Sequence, residues 1–204
     1  MKDRAGDIPA LFAPVLAALD VPTEASSDFD LNPALRMTGR SLRAAGVLVP
    51  LIERRGALHL ILTKRASHLK HHPGQIAFPG GKQEDSDADV IAAALREAEE
   101  EIGLQRDNVE VLGVLPSHET VTGFEMTPVL GRVRADFAPK PEAGEVDEVF
   151  EVPLAHVADP AQYIAQSRRW RGVERTYYTV PYGPYYIWGA TARVLRGLAD
   201  RMDV

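Results

Sequence analysis

The chain has 204 residues, 45% apolar and 25% charged, the proportions of a folded domain long enough to bury one substantial core. A formal net charge of −6 argues against a general nucleic-acid or membrane-surface binder, while leaving room for a local basic pocket. The absence of cysteine excludes disulfides, thiolate catalysis and cysteine-held zinc.

The first twenty residues mix charges and prolines (Asp7, Pro9, Pro14) and lack the basic start and apolar run of a secretory signal. No stretch approaches the ~20 apolar residues of a membrane span, so a cytoplasmic protein is expected. Leu11, Val15 (or Leu16) and Leu19 recur at helical spacing, which predicts a short helix over 8–19. Residues 20–43, with Pro22, Ser26, Ser27, Asp28 and Pro33, read as an extended arm. The expected division is therefore an N-terminal helix and arm over 1–40 and a main domain over 41–204. Apolar runs at 45–52 and 58–63, separated by Glu53-Arg54-Arg55-Gly56, predict a hairpin. A short strand at 75–78 is expected to stop at the turn cluster Pro79-Gly80-Gly81. A helix follows over 87–102, with Ile91, Leu95, Ala98 and Ile102 on one face and Gly103 ending it. Strands are expected at 109–115, 126–133 and 149–152, and a hairpin around Arg171-Gly172. A last helix is expected over 186–201, with Ile187, Thr191, Val194, Leu198 and Met202 on one side. These elements predict an α/β sandwich, a mixed central sheet covered by helices on both faces.

The helix over 87–102 ends in Arg96-Glu97-Ala98-Glu99-Glu100-Glu101, and a helix C-terminus is the wrong end for negative charge. Like charges at i,i+3 and i,i+4 add a cost of roughly 0.2–0.5 kcal/mol each. The apolar stripe sets Glu97, Glu100 and Glu101 on a face of their own, with Glu99 pointing away as a surface residue. Converging carboxylates without nitrogen or sulfur donors suit Mg²⁺, or Mn²⁺ in its place, and an ion shared with substrate phosphates. Arg96 is spaced to pair with Glu100. A solvated charged face is the competing reading of these residues alone.

The upstream residues favour the metal. Gly80-Gly81-Lys82, then Asp87, then Arg96-Glu97-x-x-Glu100-Glu101-x-Gly103-Leu104 resembles the Nudix box of the Nudix hydrolases. Asp87 stands where that box has Glu, eight rather than seven residues precede Arg96, and Ala98 fills a slot that is usually larger. A second run precedes the box, from Leu62-Thr63-Lys64-Arg65-Ala66-Ser67-His68 through Gly74-Gln75-Ile76-Ala77-Phe78-Pro79-Gly80-Gly81. It resembles the signature of the coenzyme A pyrophosphatase branch, as do the extra residue in the box, Thr122-Gly123-Phe124 with Thr127-Pro128-Val129, and 187–192.

The resemblance implies a Nudix-type α/β/α sandwich and Mg²⁺-dependent hydrolysis of the pyrophosphate bond of coenzyme A, giving 3′,5′-ADP and 4′-phosphopantetheine. It implies Glu97, Glu100, Glu101 and the Gly80 carbonyl as metal ligands, and Arg96 in the catalytic group. Lys64, Arg65, Lys70 and His71 are expected to meet phosphates, and Phe124 the ligand. Glu145 is expected as general base in preference to Glu148, with Glu97 an alternative. His118 and Glu119 are expected to line the same cleft. His68, His71 and His72 are read as loop residues or phosphate contacts in preference to a metal cluster. Tyr177, Tyr178, Tyr182, Tyr185, Tyr186 and Trp188 are read as packing for the last helix. Another nucleoside diphosphate derivative (ADP-ribose, NADH, a damaged nucleotide) or a non-catalytic nucleotide sensor is the alternative function. The expected partner is a small nucleotide substrate, with no nucleic acid or membrane, and a homodimer is an allowed assembly.

Overall fold

The computed structural model describes residues 8–37, 39–69, 72–170 and 172–202. Its frame is β2 (Arg43–Arg54), in which Ala45 to Ile52 are buried without interruption. A strand so apolar on both faces needs cover on both sides. Before it come α1 (Ala13–Asp20) and β1 (Ser26–Ser27). After it, β3 (Ala57–Arg65) returns antiparallel through Arg55 and Gly56, whose φ values of 51° and 80° are both positive, as a two-residue turn of matching twist requires.

The other edge of β2 pairs in parallel with β8 (Phe124–Val133), from Arg43 opposite Phe124 to Leu51 opposite Arg132. Along the edge it shares with β3, the first half of β2 instead pairs with β5 (Gly80–Lys82), Val47 facing Gly80 and Ala45 facing Lys82. The expected turn at Pro79-Gly80-Gly81 is therefore a strand. Its pairing partner lies more than thirty residues earlier in the chain, and two glycines offer no side-chain pattern to signal it. The short β4 (Ile76–Ala77) lies on the end of β3. The remaining strands are β6 (Val109–Val114) and β7 (His118–Glu119) on β8, and β9 (Val146–Pro153) along the outer edge of β3.

One face is covered by α2 (Val90–Ile102), whose Ala94, Ala98 and Ile102 pack on Leu48, Ile52 and Ile61. Its start is three residues later than expected, because the Asp89 carboxylate caps the Ala92 N–H at 2.8 Å. Gly103 closes it in the left-handed conformation at φ 72°, as expected. The other face is covered by α1 and α4 (Gly189–Met202), with α3 (Leu154–Val157) beside them. The last helix begins at Gly189 because the backbone before it is spent on pairing: Val180 N–H donates to Ile187 O at 2.9 Å. The hairpin β10 (Ile164–Trp170) and β11 (Val173–Thr179) forms a separate two-stranded sheet.

The N-terminal segment is part of this packing. Phe12, Val15 and Ala18 lie in the core beneath α4, and β1 runs parallel to β7. Among the described residues no helix is long and apolar enough to cross a membrane.

Candidate active site

The acidic end of α2 is organised by one guanidinium. Arg96 donates from Nε and NH2 to the two oxygens of Asp87, both at 3.0 Å, and from NH2 to the Lys82 carbonyl at 3.2 Å. Its NH1 reaches Glu97 Oε1 and Glu100 Oε2, each at 3.0 Å. The hydrogen bonds from Arg96, with one from the Glu84 N–H, hold the Asp87 carboxyl below its ordinary range. Asp87 therefore stands before the helix, and the fork-to-fork pair with Arg96 spans the extra residue between them.

Glu101 and Glu97 turn inward onto β5. Glu101 is 5% exposed, and burial pushes its carboxyl up to about 8, reinforced by Glu97 and Glu145 and opposed by the Gly80 N–H and the charge of Arg65. The Gly80 N–H donates to Glu101 Oε2 at 3.0 Å. Glu97, half-buried, is also raised by burial, with Arg96 pulling the other way. Its carboxylate lies on Gly81, where an added Cβ would stand 2.5 Å from Oε1. Only glycine leaves that space.

Glu100 differs from the other two: its side chain is 58% exposed and held by Arg96. Among the described residues no three His, Asp or Glu side chains are gathered to hold one ion. The three carboxylates are therefore unequally placed, Glu100 at the surface and Glu97 and Glu101 against β5. The reason is Arg96, which satisfies Glu100 at the helix surface while Glu97 and Glu101 face the sheet. Oxygen-only donors, and a buried carboxyl whose ionised form has little to compensate it, still fit a hard divalent cation. Glu97 and Glu101 are the carboxylates that could hold one. Glu99 is a surface residue as expected, paired with Arg106 at 2.8 Å.

The two basic residues at the end of β3, where its pairing with β9 shifts register, act on different acids. The charge of Arg65 acts on Glu101, whereas that of Lys64 acts on Asp147. The loop after β3 is tied to the acid site at its root: Arg65 N–H donates to Gln75 O at 2.9 Å, and Gly74 N–H to Arg65 O at 3.1 Å. Ala66 N–H donates to Glu145 O at 2.8 Å. Ser67 gives both its N–H and its hydroxyl to Asp147, at 2.9 and 2.6 Å. Lys70 and His71 lie outside the described residues.

Glu145 is exposed, and its charge acts on both Glu97 and Glu101. Glu148 instead accepts a 2.5 Å bond from the Tyr185 hydroxyl, and Tyr185 stacks on Phe150 with ring centroids 3.5 Å apart. Phe124, at the start of β8, carries the Arg43 guanidinium 4.0 Å from its centroid.

His118 is not a cleft residue. It is fully buried, with Nδ1 2.9 Å from Ser26 Oγ and Nε2 3.1 Å from Asp28 Oδ1, while Glu119 accepts from Ser27 Oγ at 3.2 Å. Both residues fasten the N-terminal arm, a role invisible without the parallel pairing of β1 and β7. Asp147 was not singled out in the sequence. An acid two residues after Glu145, just before the apolar run of a strand, was the available signal.

A mixed sheet between helical layers, with an Arg-Glu-x-x-Glu-Glu helix end laid on a glycine strand, defines a class of hydrolase. The NUDIX domain model matches residues 42–171, and the chain belongs to the Nudix family of hydrolases. The Escherichia coli (strain SMS-3-5 / SECEC) protein named Uncharacterized Nudix hydrolase NudL is 42% identical over 174 residues, covering 85% of this chain and 90% of the relative. Its namesake from Enterobacter sp. (strain 638) is 43% identical over 169 residues, covering 83% and 88%. Two solved structures share the fold. A MutT/nudix family protein from Enterococcus faecalis superposes with a TM-score of 0.52 at 17% identity, over 82% of this chain and 64% of that one. The MutT protein from Methanosarcina mazei Go1 gives 0.50 at 16% identity, over 82% and 96%.

Proposed function

We propose that this Nudix enzyme hydrolyses the pyrophosphate bond of coenzyme A or its acyl derivatives, releasing 3′,5′-ADP and 4′-phosphopantetheine or its acyl form. One observation carries the substrate assignment. The segment 62–81, which resembles the coenzyme A branch, is hydrogen-bonded at its root to Glu145 and brings Arg65 within electrostatic reach of Glu101. In this reading substrate recognition and the acid helix share one cleft.

In this reading Glu97 and Glu101, joined by Glu100 and the Gly80 carbonyl, would hold Mg²⁺, with Mn²⁺ as a substitute. The ion would supply charge neutralisation on the phosphates and lower the pKa of the attacking water. Glu145, exposed beside the buried carboxyls, accepts the proton of the attacking water. The water oxygen forms a new bond to one phosphorus as the bridging P–O bond breaks, and the leaving phosphate keeps that electron pair. Arg65 neutralises the pyrophosphate oxygens with its planar fork. Lys64 and Lys70 are assigned to the remaining phosphate and Phe124 to ligand contact. Arg96 positions Glu97 and Glu100 through its bond to Asp87. The setting this implies is cytoplasmic, with a small nucleotide as substrate and a homodimer as an allowed assembly.

The test is product analysis in ¹⁸O-water with Mg²⁺ and a panel of coenzyme A, acetyl-coenzyme A, ADP-ribose and NADH. Turnover of the coenzyme A forms to 3′,5′-ADP, with ¹⁸O on a single product, is expected. Good turnover of ADP-ribose with none of coenzyme A would overturn the substrate assignment while leaving the Nudix chemistry in place.

A further inference from the structure

The face of the sheet opposite α2 carries a small cavity of mixed lining, with Leu115, Pro116 and Val194 beside its polar groups, that the hydrolytic cleft does not use. It has a volume of about 30 Å³ and lies between the N-terminal arm and α4, bordered by Thr23, Glu24, Ser26, Arg193, Gly197 and Arg201. A single water needs ~10–15 Å³ on this measure, so the space suits a small polyatomic group.

Arg201 is the unusual member. It is only 9% exposed, and its Nε donates to the Gly197 carbonyl one turn earlier at 3.0 Å. Among the described residues no carboxylate pairs with it. The neighbouring Asp200 is taken by Arg196 at 2.8 Å, and Glu24 pairs with neither arginine of the cavity. Burial, and then the charge of Arg193, push the Arg201 pKa down, with Asp200 pulling the other way. A desolvated cation with no carboxylate of its own is unfavourable unless something anionic joins it.

Arg193, Gly197 and Arg201 recur every four residues, so they form one stripe on α4. Arg193 gives Nε and NH2 to Asp30 Oδ2, at 3.3 and 2.9 Å. Its NH1 lies toward Gly197. A Cβ added there would stand 3.7 Å from Arg193 NH1 and 3.7 Å from Arg201 NH2. Glycine weakens a helix interior, and here it keeps open the gap between two guanidinium groups.

We propose that this cavity binds a small tetrahedral oxyanion, a phosphate or phosphoryl group, between the guanidinium groups of Arg193 and Arg201. Guanidinium forks match phosphate oxygens in geometry and charge. The site is separate from the hydrolytic cleft and does not depend on which substrate that cleft takes.

The experiment titrates the full chain, without divalent metal, with inorganic phosphate, AMP and acetate, followed by calorimetry. Three variants are compared with wild type. Arg201→Met removes the buried charge, Gly197→Leu fills the gap and keeps both arginines, and Arg65→Ala removes phosphate binding at the hydrolytic cleft. Saturable phosphate binding is expected in wild type and Arg65→Ala, weakened at least ~10-fold in Arg201→Met and Gly197→Leu, since hydrogen bonds to charged groups are lost. Both α4 variants are expected to keep wild-type turnover. AMP binding with the same dependence on Arg201 assigns the site to the phosphoryl group of a larger molecule, and binding of inorganic phosphate alone assigns it to the free ion. Equal phosphate affinity in wild type and Gly197→Leu, loss of all binding in Arg65→Ala, or binding of acetate alone overturns the proposal. Gly197→Leu decides the matter if Arg201→Met does not fold.

Discussion

Replacing Glu101 with Gln should change how the metal-free protein responds to pH. The Glu101 carboxyl is raised from 4.5 to about 8 in the fold, mainly by burial. A raised folded pKa means that the group's full contribution is present below about pH 4.5 and is lost as pH rises through about 8. The whole gap corresponds to about 5 kcal/mol at 1.36 kcal/mol per pH unit, an upper bound because water entry and relaxation soften it; ~2–3 kcal/mol is the working expectation. In a chain of this size that is roughly 5–10 °C of melting temperature. Thermal unfolding of wild type and Glu101→Gln in EDTA, from pH 5 to pH 9, isolates the effect as a difference that cancels the histidines and other common groups. Wild type should lose ground to the variant as pH rises, Mg²⁺ should restore wild type but not the variant, and the variant should be inactive. Parallel pH profiles for the two proteins in EDTA would refute the reasoning, because the buried carboxyl would then cost nothing to ionise.

Three further outcomes follow from the same geometry. Glu100→Gln should lower turnover at least ~100-fold while leaving the melting temperature within a degree or two, since the side chain is 58% exposed; near-normal turnover removes it from the ligand set. Gly81→Ala, whose Cβ would press within 2.5 Å of Glu97 Oε1, should weaken Mg²⁺ about 10–100-fold in a calorimetric titration, and unchanged Mg²⁺ affinity would contradict the placement of Glu97. Arg65→Ala should raise KM for coenzyme A about 10-fold or more with a smaller change in kcat, whereas a change in kcat alone would assign it a different role.

Much of the scaffold was legible in the chain. The run from Ala45 to Ile52 marks a strand buried on both faces, Arg55-Gly56 marks its turn, and the stripe Ile91-Leu95-Ala98-Ile102 with Gly103 marks α2 and its end. These signals are local: periodicity and backbone preference act within a few residues. What escaped was non-local. β5 has no pattern of its own and is a strand because β2 offers it hydrogen bonds. Trp188 and Ile187 sit in helical register yet pair with the end of β11. His118 looked like a cleft residue and is instead the buried anchor of an arm ninety residues earlier in sequence.

The same division holds inside the site. Sequence alone determined that acids are concentrated at the end of α2, that glycines precede it, and that a basic motif stands before them. Spacing along one chain reaches no further. Only the tertiary structure decided that Glu101 is buried against the Gly80 N–H while Glu100 stays at the surface, that Asp87 holds Arg96, and that the charge of Arg65 reaches Glu101 while that of Lys64 reaches Asp147. A carboxylate's charge and ligand capacity depend on how much water surrounds it and which partners stand nearby, and segments far apart in the sequence set both.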